Sequence, residues 1–263
     1  MGSEPNAALQ NFYEHRYFRD TALAVVPKED DFVYAQVLRQ LRPYLRPGLK
    51  VLDLGCNNGN LSMFIARAGC TVVGIDLAQN AIDSARESAE QLGIQGVTFF
   101  RMDFLKEWDE PGAFDLVLCS HVIEHIPDDV GFVRKIGFSL KENGVLLLFV
   151  PALSSSLYRT NLLVRGRFPH DDEVGHLRRY TAESVSFVLE QAEFGIRKRV
   201  FLDGMLRDWF LLSKTLRVFN RVLGLPVVRR AFNGCDSLMA SVAFPATICI
   251  HASPLRKTHG DGI

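Results

Sequence analysis

The sequence lacks several features that would settle its class at a glance. It has no C-x-x-C pair: its five cysteines, at 56, 70, 119, 235 and 249 of 263 residues, form an odd and scattered set. That argues against a disulfide framework, and reduced thiols in a cytoplasmic protein are expected. Neither charge is in excess. Thirty basic side chains balance thirty acidic ones, so no global field draws in nucleic acid or an anionic membrane. No uninterrupted apolar run is long enough to span a bilayer. The opening residues, "MGSEPNAALQNFYEHRYFRD", lack the apolar core of a signal peptide. Repeats and low-complexity tracts are missing as well. What is present is ordinary globular material, 48% apolar and 23% charged, of a length that suits one domain or one domain with an insertion.

Within that material, apolar runs alternate with amphipathic ones. Short runs of Val, Ile, Leu and Phe occupy 49–56, 71–76, 97–103, 114–120 and 144–150. Helical spacing fills 58–68, ending at Gly69, and 78–92, ending at Gly93. A further helix is expected over roughly 128–141, closed by Asn143-Gly144. Near-continuous apolar strands separated by helices indicate a parallel sheet covered on both faces. Residues 182–202 read as a helix and a sixth strand, and 246–253 as a final antiparallel strand. The expected fold is α/β, a doubly wound, mostly parallel seven-stranded sheet with ligands beyond the carboxyl ends of its strands.

The turn after the first strand reads "DLGCNNGN", Asp53 to Asn60. It has no P-loop lysine, and Asn57 stands at the middle position of a G-x-G-x-x-G pattern. Asparagine tolerates left-handed backbone angles, so the turn survives, but a pyrophosphate would be less closely approached. Asp53 beside a ligand would also repel a diphosphate. Asp76, ending the second strand, suits ribose hydroxyls. A zwitterionic nucleoside, with an amino group near Asp53 and its ribose near Asp76, satisfies both carboxylates.

Taken together, "VLDLGCNNGNLS", "GIDLAQNAIDSAR", "RMDF" and "FDLVLCSHVIEHIPD" followed by "LKENGVLLLFVP" resemble the successive motifs of class I S-adenosylmethionine-dependent methyltransferases. The resemblance covers roughly residues 49–151 and implies a Rossmann-like methyltransferase fold and S-adenosylmethionine as cofactor. It implies that Gly55 and Gly59 let the backbone approach the methionine part, with Asp53 ordering that loop; Asn57 stands where the family frequently has glycine, a departure that touches only the fine shape of the turn. Asp76 is then assigned to the ribose, Leu77 to the adenine face, Asp103 to the adenine amine and Phe104 to the ring. Ser120 and His121 border the methyl group.

"HVIEH", residues 121–125, puts three ligands or proton carriers at i, i+3 and i+4. It also matches the H-x-x-E-H of inverzincin peptidases. That motif needs a longer helix, whereas this one directly follows a strand and meets Pro127 two residues later. Relatives in the ubiquinone-pathway O-methyltransferases and the plant small-RNA 2′-O-methyltransferases carry E-x-x-E-H here and hold a divalent cation that draws in two neighbouring hydroxyls. This chain has His121 where those have their first glutamate, and by that resemblance His121, Glu124, His125 and His176 are one candidate set for a divalent metal, a set that suits zinc, iron or manganese better than magnesium. The alternatives are metal-free acid–base chemistry by His121, His125 or His176, and a plain strand-to-helix corner.

The flanks would choose the acceptor. Residues 1–48 are read as an N-terminal helical lid with Tyr13 and Tyr17 over the cofactor, 49–203 as the α/β core, 204–244 as a helical cap insertion, and 245–263 as the final strand and tail. Residues 154–180 are expected to be a loop-rich rim, locally basic through Arg159, Arg165, Arg167, Arg178 and Arg179. The stretch 209–235 has five basic and no acidic side chains, so it would either pack on its own domain or touch a membrane surface. The expected partner is a small, somewhat lipophilic acceptor methylated on oxygen, or failing that on nitrogen. DNA is not expected. An RNA 2′-O-methyltransferase and a catalytically silent cofactor-binding protein are the rival readings, and neutral charge speaks against the first.

Overall fold

The computed structural model describes residues 25–207, 225–242 and 245–255. Its centre is a seven-stranded sheet in the order β3-β2-β1-β4-β5-β7-β6. In chain order the strands are β1 (Lys50–Leu54), β2 (Thr71–Asp76), β3 (Val97–Arg101), β4 (Phe114–Ser120), β5 (Leu140–Pro151), β6 (Phe194–Leu202) and β7 (Thr247–Pro254). The first five pair in parallel. β7 runs antiparallel between β5 and β6, matching the expected sheet.

The central strands are buried on both faces, which is why their sequences are unbroken runs of branched and aromatic residues. Leu52, Leu146 and Leu148 face one core with Phe132, Ile136 and Leu189. Val51, Leu118 and Leu147 face the other, with Leu41 and Ile65. The covering helices are α1 (Ala35–Leu41), α2 (Asn60–Arg67), α3 (Gln79–Gln91), α4 (Phe104–Glu107), α5 (Asp129–Ser139), α6 (Ser156–Arg165), α7 (Pro169–Val174), α8 (Ala182–Gln191) and α9 (Pro226–Val242).

Two local expectations are corrected. β5 begins at Leu140, ahead of Asn143-Gly144, because Leu140 already pairs with Phe114 before an irregularity in register. The region 154–180 is not mainly loop: α6 is capped by Ser155 and closed by Gly166 at φ 68°, and α7 starts on Pro169 and ends at Gly175 at φ 76°. The basic rim is partly self-neutralised, since Arg178 pairs with Asp129 at 2.7 Å and Arg179 with Asp171 at 2.8 Å.

Of the stretch 209–235, residues 209–224 lie outside the described residues. The described part belongs to α9, which is held to its own domain: Arg229 pairs with Asp30 at 2.6 Å, and Asp236 with the fully buried Arg207 at 3.2 Å. Tyr13 and Tyr17 also lie outside the described residues. The chain just beyond them does reach the glycine turn, where the Val25 amide donates to Asn60 Oδ1 at 3.0 Å. No helix among the described residues is long and apolar enough to cross a membrane.

Candidate active site

Both conspicuous features of the sequence meet at the carboxyl ends of β1, β2 and β4. The turn after β1 carries three left-handed residues: Gly55 (φ 71°), Asn57 (φ 51°) and Gly59 (φ 81°). Asn57 adopts the conformation that asparagine accepts at small cost. The glycines are needed for a second reason. A Cβ on Gly55 would stand 2.4 Å from Val122 Cγ2, and one on Gly59 would stand 2.6 Å from the Phe99 ring. The turn is thereby pressed against β3 and the segment after β4, and a cleft lined by Gly55, Asp76, Leu77, Asp103, Phe104 and His121 opens beside it.

Asp76 lines this cleft. Its Oδ2 accepts from the Asn57 amide at 2.9 Å and its Oδ1 from the Ala78 amide at 3.0 Å. Burial raises its pKa, against the pull of those amides. Leu77, Phe104 and Met102 supply apolar wall, and Asp103 stands among them as the N-cap of α4, accepting from the Leu105 amide at 3.1 Å. Gly55 contributes backbone to the lining; Asn57, Gly59 and Ser120 do not line the cleft.

Asp53 departs from the contact expected of it. It is 2% exposed, lies behind the turn and does not line the cleft. Ser62 Oγ donates to its Oδ2 at 2.5 Å. Burial raises its pKa to about 7, with Ser62 opposing and the Asp76 charge adding. Its position fits ordering of the loop and leaves the amino group of a ligand without this partner.

"HVIEH" folds as a left-handed residue followed by a short 3-10 turn, not as part of an α-helix. His121 has φ 56°, and Ile123–His125 form the turn. Glu124 is completely buried, and neither of its carboxylate oxygens accepts a hydrogen bond from the protein. Leaving a buried carboxylate so poorly satisfied is costly unless another group arrives to bind it. Imidazoles surround it. His121 Nδ1 lies 3.3 Å and His176 Nε2 3.6 Å from Glu124 Oε1. Among the described residues, ligand atoms of Glu124, His125 and His176 all fall within 4.8 Å of one another, as a metal site requires. His121 is not a member of that tighter group; its imidazole lines the cleft.

His176 reaches the site because the segment after α7 is stitched to the 3-10 turn. The Leu177 amide donates to the Glu124 carbonyl at 2.9 Å, and His125 Nδ1 bonds the Gly175 carbonyl at 3.0 Å. Burial opposes ionisation of Glu124, but His121 and His125 outweigh it and hold the carboxyl below its usual range. Enclosure likewise disfavours the His121 imidazolium, and Glu124 overcomes it with help from Asp203, so the His121 pKa is raised. Burial lowers that of His125.

Residues 28–198 match a methyltransferase-domain family. The chain belongs to the S-adenosylmethionine-dependent methyltransferases. It is 29% identical over 198 residues to a ubiquinone biosynthesis O-methyltransferase of Xanthomonas campestris pv. campestris (strain B100), covering 65% of this chain and 79% of that one. A ubiquinone biosynthesis O-methyltransferase of Xanthomonas axonopodis pv. citri (strain 306) is 32% identical over 192 residues, with the same coverage. Similar solved folds include magnesium protoporphyrin IX methyltransferase (ChlM) from Synechocystis PCC 6803 with bound S-adenosylmethionine, at TM-score 0.58, 16% identity and coverage of 96% and 98%. The [4+2]-cyclase SpnF matches at TM-score 0.65 and 16% identity, covering 97% and 99%. Those likenesses show the fold alone, and chemistry has to be argued from the site.

In this methyltransferase, sequence reasoning missed Val122, which packs under Gly55, and Asp171, which approaches His176 from the side away from Glu124. Burial would raise the Asp171 pKa, but His176 and Arg179 bring it down to about 2. The pair Asp171-Asp172 offered no signal as to which carboxylate turns inward.

Proposed function

We propose that this methyltransferase transfers a methyl group to an oxygen of a small, lipophilic molecule bearing two neighbouring hydroxyls, with a divalent metal on Glu124, His125 and His176 and with His121 as base. The observation that carries this reading is Glu124, a fully buried carboxylate whose near polar partners are imidazoles, two of them at ligand spacing. Two nitrogens and one oxygen fit manganese, iron or zinc better than magnesium. A bound ion would lower the pKa of a coordinated hydroxyl. The relatives named ubiquinone biosynthesis O-methyltransferases support oxygen as the acceptor atom.

S-adenosylmethionine supplies a methyl group on a positively charged sulfur, which leaves as a neutral thioether. The residues position it. Asp76 would accept from ribose hydroxyls, Asp103 would accept from the adenine amine, and Leu77 and Phe104 would enclose the ring. Gly55 would let the backbone approach the methionine part. With Nδ1 3.3 Å from Glu124 Oε1, His121 would have Nε2 available to take the acceptor's proton, and Glu124 would balance the resulting charge. Such an in-line displacement needs positioning first.

The test is methyl transfer from labelled S-adenosylmethionine to aromatic acceptors with adjacent hydroxyls and to their single-hydroxyl counterparts. Transfer to the former alone, abolished by a chelator and restored by Mn²⁺, is expected. Full activity in chelator would end the metal assignment, and methylation of nitrogen only would end the oxygen assignment.

A further inference from the structure

We propose that Asp171 is a positioning residue for the metal cluster: it fixes the tautomer and orientation of His176, and Arg179 in turn locks Asp171 in place. This inference rests on the metal reading above.

His176 stands between two carboxylates. Its Nδ1 lies 2.8 Å from Asp171 Oδ1, and its Nε2 faces Glu124 Oε1 at 3.6 Å. An ionised carboxylate only accepts, so the short contact requires the proton on Nδ1. The Nε2 lone pair is then left for a ligand on the Glu124 side. Metal-bound histidines commonly hand their other ring N–H to a carboxylate in this way, which sets the ring and raises its basicity.

Asp171 is itself held by more than His176. Arg179 Nε donates to both of its oxygens, at 3.1 and 2.9 Å, and Nη2 donates to Oδ1 at 2.8 Å. The guanidinium has no freedom to turn away. It is packed against the rings of Tyr158, at 4.8 Å, and Phe168, at 4.9 Å, and its side chain is 7% exposed. The α6–α7 region thus supplies a rigid backing, running from Tyr158 and Phe168 through Arg179 and Asp171 to His176. Were this only a structural clamp, its loss would leave metal affinity where it was.

The experiment is a titration of the full-length chain with Co²⁺ alone, read by calorimetry and by visible d–d absorption, with S-adenosylhomocysteine binding as a check on folding. Asp171→Asn should weaken Co²⁺ binding ~10–100-fold and change the d–d spectrum, while affinity for S-adenosylhomocysteine stays near wild type. If Asp171→Asn does not fold, Arg179→Lys takes its place; it keeps the charge but loses the fork, and it should weaken Co²⁺ binding in the same direction. Wild-type affinity in the folded variant overturns the role given to Asp171 and leaves the metal site standing. A wild-type chain that takes up no Co²⁺ overturns the metal site and this inference with it.

Discussion

The carboxylate of Asp76 receives the amide of Asn57 at 2.9 Å, so the end of one strand closes the turn that leaves its neighbour. The glycine turn and the acid proposed to hold the ribose are therefore one device. Disturbing either should disturb both, and the consequences differ from residue to residue.

Gly55→Ala tests the turn itself. The new Cβ meets Val122 at 2.4 Å on a residue at φ 71°, and overpacking together with left-handed strain costs about 1–3 kcal/mol. Urea unfolding should show that loss, together with weaker S-adenosylhomocysteine binding. Adding Val122→Ala relieves the clash but not the backbone angle, so it should restore only part of the stability. Full wild-type stability in Gly55→Ala alone would contradict the packing described.

Asp53 gives a pH signature. Its folded pKa is about 7, well above the usual range of an aspartate, so the folded chain keeps a proton that the unfolded chain releases. The sign follows: this group's contribution to stability falls as pH rises from about 4 to about 7, by roughly 4 kcal/mol at most. Asp53→Asn removes that slope, and the variant should gain on wild type across the window. Parallel stability curves for the two proteins would show that Asp53 ionises normally.

The sheet was readable because the physics that buries it writes directly into composition. A strand covered on both faces has to be apolar throughout, as "VLLLFV" is, and a helix that covers it ends at a glycine such as Gly69 or Gly93. Asn57 was also legible, since few residues other than asparagine and glycine accept its angle. The α6–α7 region was not. Its cues were local and weak, a Ser155 cap, Pro169 and the C-terminal glycines 166 and 175, set in a polar composition without periodicity. Asp53 reads in the sequence both as a ligand contact and as a residue that orders the loop, because a strand-end acid looks the same whether it turns toward a cleft or behind a loop. The Ser62 hydroxyl that draws it inward lies nine residues on.

His121 should carry chemistry without carrying the cofactor. Replacing it by Ala removes the proposed base, and kcat should fall ~10²–10⁴-fold while S-adenosylhomocysteine affinity stays near wild type. Steady-state kinetics beside calorimetry makes the separation. An unchanged kcat would remove His121 from the mechanism.

The most direct measurement is calorimetric titration of S-adenosylhomocysteine into wild type and Asp76→Ala. Wild type should bind one equivalent. The variant should lose about 1.5–3 kcal/mol, a roughly 10–150-fold weaker Kd, because a charged acceptor to the ribose hydroxyls is gone. Equal affinity in the two proteins, or no binding to wild type, would contradict the account at its base.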